Sequence, residues 1–127
     1  MFTHITVGAN DVAAARRFYD AIFTAMGAEP GAASADGNRV RYLHKGNVFI
    51  VTRPINGEPA TFGNGTTFGF QMESPEQVEA WHAAGVASGG TTAEDPPGER
   101  NGPFGRLYLA YLRDPTGNKL CAVYRMG

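Results

Sequence analysis

Thr3-His4-Ile5-Thr6-Val7, near the start of the chain, comes back in altered form as Thr66-Thr67-Phe68-Gly69-Phe70. Each stretch puts an apolar residue at every second position, the period of a strand with one covered face. Laying one on the other pairs His4 with Thr67, Phe18 with Trp81, and Met26-Gly27 with Gly89-Gly90, so the helical stretches correspond too. Further on, residues 43–50 parallel residues 112–121, both reading as strand, turn, strand. One short unit is therefore written twice. Two copies imply a pseudo-symmetric domain over residues 1–127, with module one at 1–60 and module two at 61–127.

Length and composition bound what such a domain does. A chain of 127 residues is one domain by size, too short for two independent cores but long enough for two halves sharing one. Hydrophobic residues make up 43% and charged residues 18%, ordinary for a globular protein, and 17 Gly point to many turns. A net charge of −1 leaves no basic footprint for nucleic acid and no polybasic patch for a membrane. A small molecule is the partner this composition favours. The single Cys121 cannot form an internal disulfide, and no apolar run approaches the roughly 18 residues that span a bilayer. The expected location is the cytoplasm.

Along the chain, residues 2–8 alternate as a strand, and Asn10 or Asp11 caps a helix carrying Val12, Ala15, Tyr19, Ile22, Phe23 and Met26 until Gly27 stops it. Its other face, with Arg16, Arg17 and Asp20, reads as a solvated surface. Residues 28–38 leave room for one short edge strand. Residues 39–45 and 48–53 form a hairpin about Gly46-Asn47, pairing Lys45 with Val48, Leu43 with Ile50 and Arg41 with Thr52. Residues 54–65 join the modules. After a strand at 66–72, Ser74-Pro75-Glu76-Gln77 starts the second helix with a capping box and a proline at its first turn. Residues 93–106 are too rich in Pro and Gly for a central strand throughout and read as a surface loop or a lid, with Arg100 its one candidate side chain for ligand contact. Residues 107–113 and 119–125 close the chain as a hairpin turned by Asp114-Pro115-Thr116-Gly117-Asn118.

Strand parity divides these residues into two faces. Ile5, Val7, Phe49, Val51, Phe68, Phe70, Met72, Leu112, Leu120 and Ala122 fall together and must meet the helices. The opposite face holds His4, Thr6, Arg41, Leu43, Ile50, Thr52, Thr67, Gln71, Leu109, Tyr111, Cys121 and Val123. Polar groups scattered among aliphatic ones are the usual lining of a small-molecule pocket.

The repeated strand, helix, three strands, with a His opening the first strand and Asp114-Pro115-Thr116-Gly117-Asn118 before the last, resembles the glyoxalase, bleomycin-resistance and extradiol-dioxygenase (vicinal oxygen chelate) superfamily. Thr3-His4-Ile5-Thr6-Val7, Arg16-Arg17-Phe18-Tyr19-Asp20 and Asp114-Pro115-Thr116-Gly117-Asn118-Lys119-Leu120 carry the resemblance, which covers essentially the whole chain. It implies an α+β fold of two βαβββ modules in tandem, a curved mixed sheet forming a cup with helices on the outer face. Enzymes of this superfamily hold a divalent metal in the cup, on His and Glu from the first and fourth strands of each module. Those places correspond here to His4, Ile50, Thr67 and Cys121. Only His4 is a usual ligand, so the set is incomplete and no cofactor is expected.

The resemblance also places Thr6 and Tyr111 where a fosfomycin-resistance branch contacts its substrate, with Arg41 as a charge partner. The ligand-binding set expected is thus His4, Thr6, Arg41, Thr67, Gln71, Tyr111 and Cys121, in a protein that binds or sequesters a small organic ligand. The alternatives are a metal-dependent lyase, transferase or dioxygenase using His4 with other partners, and an acid-base isomerase using His4 and Tyr111. His4 beside Cys121 would lower the thiol pKa. The resemblance further implies a homodimer.

Overall fold

A computed structural model describes all 127 residues. The order of elements is β1 (Ile5–Gly8), α1 (Val12–Thr24), β2 (Ala32–Ala33), β3 (Arg39–His44), β4 (Asn47–Thr52), β5 (Phe68–Gln71), α2 (Pro75–Ala87), β6 (Thr91–Gly102), β7 (Gly105–Arg113) and β8 (Lys119–Arg125). They form two four-stranded sheets of matching topology, β1-β4-β3-β2 and β5-β8-β7-β6. In each sheet the first strand of the module runs parallel to the last, and the other pairs are antiparallel. Ile5 pairs with Phe49 as Phe68 pairs with Leu120, which makes the repeat explicit at the level of register. The α+β fold of tandem βαβββ modules is the one the sequence implies.

Local chemistry starts both helices. The Asp11 side chain accepts from the Ala14 N–H at 3.0 Å, and the Ser74 hydroxyl accepts from the Gln77 N–H at 3.1 Å, each satisfying a donor that the first turn leaves free. Gln77 does not complete a capping box on Ser74. Its side-chain oxygen accepts from the Glu73 N–H at 2.7 Å, one residue earlier.

The apolar face assigned by parity is the covered one. Val7, Phe49, Val51, Met72, Leu112, Leu120 and Ala122 belong to one buried cluster with Phe18, Tyr19, Ile22, Phe23, Val78 and Trp81 from the helices, and Ile5, Phe68 and Phe70 pack against it. The helices also pack on each other. The approach is close because Gly85 has no side chain: a Cβ there would lie 2.3 Å from Leu112, 3.1 Å from Ile22 and 3.2 Å from Phe18.

Polar bonds stitch the modules at one end. The Tyr19 hydroxyl donates to Asp114 Oδ2 at 2.6 Å, while Asp114 Oδ1 accepts the N–H groups of Thr116, Gly117 and Asn118, each at 2.9 Å. Asn118 Nδ2 donates to Asp114 Oδ2 at 2.8 Å and to the Gly8 carbonyl at 3.0 Å, reaching the end of β1. The connector is held as well. Asn10 accepts from the Ala60 N–H at 2.7 Å and donates to its carbonyl at 3.2 Å, and Phe62 lies against Gly117 with the Arg113 guanidinium 5.3 Å from its ring centre.

Three local expectations are corrected. The first hairpin turns on Lys45-Gly46, which take φ values of 50° and 81°, so Leu43 pairs with Val48 and Arg41 with Ile50. A two-residue turn of this kind needs positive φ at both central residues, and Asn47 instead opens β4. Because the shift is by two, the faces are unchanged. Arg16 and Asp20 are not a solvated face: Arg16 donates to the Gly31 carbonyl at 2.9 Å, and Asp20 accepts from the Gly31 N–H at 3.1 Å and the Tyr42 hydroxyl at 2.7 Å. Residues 93–106 are largely strand. β6 pairs with β7 on both sides of a register break between Ala93 and Gly98, and an edge strand with a bulge is where Pro96 and Pro97 are tolerated.

Candidate functional site

Backbone register brings the expected ligand-binding residues into two matching rows. On the helix-free face of the first sheet Thr6, Ile50 and Arg41 stand side by side across β1, β4 and β3. On the second sheet Gly69, Cys121 and Tyr111 occupy the equivalent places across β5, β8 and β7. Arg41 and Tyr111 are thus pseudo-symmetry mates. So are Ile50 and Cys121, as the sequence comparison implies. His4 and Thr67 lie just before the first residue of β1 and of β5, and Gln71 ends β5.

The two rows differ in cover. His4, Thr6, Arg41, Thr67 and Gln71 are exposed, as is the neighbouring Leu43, at 61%. Tyr111 is half-buried and Cys121 buried, beneath the irregular part of β6. There Glu94 bonds to Lys119, and Arg100 donates to the carbonyls of Asp95 and Pro96 at 3.1 and 2.9 Å. Arg100 therefore holds the bulge in shape. The Lys119 ammonium sits 5.0 Å from the Tyr111 ring centre.

Burial pushes the Cys121 thiol up to about 11, with the neighbouring Tyr111 hydroxyl opposing it only in part. The expected thiolate activation by His4 is therefore not what this environment provides, and Cys121 is a neutral thiol at physiological pH. Desolvation likewise moves the Tyr111 phenol to about 12, so it is a hydrogen-bond donor and not a base near neutrality. His4 shares a hydrogen bond between Nδ1 and Thr3 Oγ1 at 2.9 Å. His82 lies apart, bonded to Thr92 at 3.0 Å, with its pKa lowered by partial burial.

The donor set does not fit a divalent metal. Ile50 offers no lone pair, Thr67 a weak one and Cys121 a buried neutral thiol, and nowhere does the chain gather three or more His, Cys, Asp or Glu side chains suited to an ion.

A cavity lies elsewhere. It measures about 500 Å³ and lies in the seam between the modules, where β1, the β3–β4 hairpin and the end of α1 meet β5. Of the expected residues it includes His4 and Gln71, and its lining excludes Thr6, Arg41, Thr67, Tyr111 and Cys121. Sequence reasoning missed this space because parity sorts residues by sheet face, and a seam draws on both faces.

These features define a class: a tandem βαβββ protein with matching residue rows on the helix-free face of each sheet. Residues 4–123 match the family model described as a glyoxalase-like domain, and the chain belongs to that family. No curated protein sequence matches it. Among solved structures, a glyoxalase/bleomycin resistance protein from Albidiferax ferrireducens is 54% identical, with 98% of this chain and 99% of that one covered and a TM-score of 0.94. The lactoylglutathione lyase of Agrobacterium tumefaciens is 22% identical over 98% of this chain and 92% of its own, with a TM-score of 0.67. A glyoxalase/bleomycin resistance protein/dioxygenase family enzyme from Burkholderia phytofirmans is 15% identical over 98% of both chains, with a TM-score of 0.73. The last two likenesses concern the fold alone.

Proposed function

We propose that this protein binds a small organic molecule on the helix-free faces of its sheets, without a metal, and that a homodimer completes the pocket. The observation that carries the reading is the row Thr6, Ile50, Arg41, with Thr6 and Arg41 exposed on either side of a half-buried Ile50 and Leu43 bare beside them on the helix-free face. An aliphatic surface with one free guanidinium and one hydroxyl suits an organic ligand with an anionic or carbonyl head. Laid against the Tyr111 and Cys121 row of a second copy, it becomes a walled pocket with donors from both sides. Tyr111, kept protonated by desolvation, supplies a neutral donor there. The bleomycin resistance named for the Albidiferax ferrireducens structure accords with sequestration. We place the protein in the cytoplasm on the strength of its single free thiol. No helix is long and apolar enough to cross a membrane.

Light scattering after gel filtration should give a dimer mass that Leu43→Glu shifts to monomer. Short-chain carboxylates and phosphonates should raise the melting temperature of the native protein and leave Arg41→Ala and Tyr111→Phe unmoved. A monomer at every concentration, together with no stabilisation by such compounds, would remove the reading.

A further inference from the structure

The seam cavity is separate from the two sheet rows. Its floor is three phenylalanines, Phe23 and Phe49 from module one and Phe70 from module two, with ring centres 5.3 to 5.5 Å apart and planes steeply inclined to one another. Phe23 and Phe49 are 4% and 7% exposed and show the cavity only part of each ring, while the half-buried Phe70 shows more, so a guest ring meets an aromatic wall. At about 500 Å³ the space falls within the range of pockets that take small organic molecules, and β1 and β5 do not close it with a ladder.

The rim carries more bases than acids. Its four ionisable side chains, apart from the engaged Tyr42, are His4, His44, Lys45 and Glu73. Three are bases, and the one acid is bonded to Lys45 across the module boundary. Unlike the exposed sheet rows, this site is built within one chain and needs no second copy.

We propose that the seam binds a small aromatic carboxylate, its ring on Phe23, Phe49 and Phe70 and its anionic head among His4, His44 and Lys45. Occupancy ties the modules together, since the guest touches both. The inference stands independently of the function proposed for the sheet faces.

The probe is 1-naphthoate, titrated into isotopically labelled full-length protein and followed by amide and aromatic NMR shifts. Saturable binding with a dissociation constant on the order of 0.1–1 mM is expected for a ligand of this size. The largest shifts should fall at Phe23, Phe49 and Phe70. Ala28→Phe, which fills the cavity from its wall, should weaken binding by about tenfold or more. Should that variant misfold, His44→Gln with Lys45→Ala keeps the test open. Uncharged 1-naphthol should bind native protein several-fold more weakly than naphthoate, and the double variant should abolish the difference. The proposal falls if naphthoate does not saturate, if Ala28→Phe folds and binds unchanged, or if naphthol and naphthoate bind alike. Shifts centred on Thr6, Arg41, Tyr111 and Cys121 would also overturn it, while supporting the sheet-face reading.

Discussion

Asp114 is the residue whose loss should cost the fold most for its size. Its carboxylate accepts five hydrogen bonds, from Tyr19, Asn118 Nδ2 and three consecutive backbone N–H groups. In Asp114→Ala the turn amides of Thr116 and Gly117 can recover water, since both residues are only half-buried. The Tyr19 hydroxyl cannot, because Tyr19 is 0% exposed. A buried donor left without an acceptor costs about 1–3 kcal/mol, and the lost charge-assisted bonds bring the total to about 3–5 kcal/mol. Typical domains have only about 5–15 kcal/mol in all. Tyr19→Phe, which leaves the carboxylate four partners, should cost about 1–2 kcal/mol. In the double variant there is no hydroxyl to orphan, so the costs should fall short of additive by about 1 kcal/mol or more. Urea unfolding measures this, with Trp81, the single and fully buried tryptophan, as the fluorescent reporter. An Asp114→Ala cost under about 1 kcal/mol, or strict additivity, would refute the reasoning.

Gly85→Ala should destabilise by about 1–3 kcal/mol despite the helix propensity gained, because the new methyl group meets Leu112, Ile22 and Phe18; a rise in melting temperature would contradict the packing described. Alkaline pH should unfold the protein in a defined window. Cys121 is held to about 11 in the fold against 9.0, so the stability it contributes is complete below pH 9 and is lost as pH rises from 9 to 11. Tyr19, raised well above 10.0 by burial and Asp114, adds a loss that begins near pH 10. Cys121→Ala should flatten the first part of a stability profile and Tyr19→Phe the second. Iodoacetamide should label Cys121 far more slowly than a free thiol at pH 8, with denaturant restoring the rate. Lys45→Ala should leave the melting temperature nearly unchanged, since both partners of its ion pair are well exposed.

Much of the fold was legible because it is written in periods. Alternation through Ile5 and Val7, repeated at Phe68 and Phe70, is enough to set the covered face, and the Ser74-Pro75 start of α2 needs no tertiary context. What escaped is set by partners distant in sequence. Asp20 and Arg16 sit on a polar helix face, yet Gly31 and Tyr42 come to meet them. Residues 94–97 break a ladder that resumes at Gly98, which proline and glycine content alone cannot show. For the site, parity placed Thr6 with Arg41 and Tyr111 with Cys121. It could not reveal that Leu43 is left bare, nor the seam cavity, whose lining comes from two modules.

Asn10 grips Ala60 on both its N–H and its carbonyl, some distance past the exposed turn at residues 55–57. A protease nick in that turn would therefore sever the backbone without freeing either half. The cleaved pieces should migrate as one particle under native conditions and separate only in denaturant. Co-expressed as two polypeptides divided there, they should find each other and reassemble, making the molecule a natural split reporter.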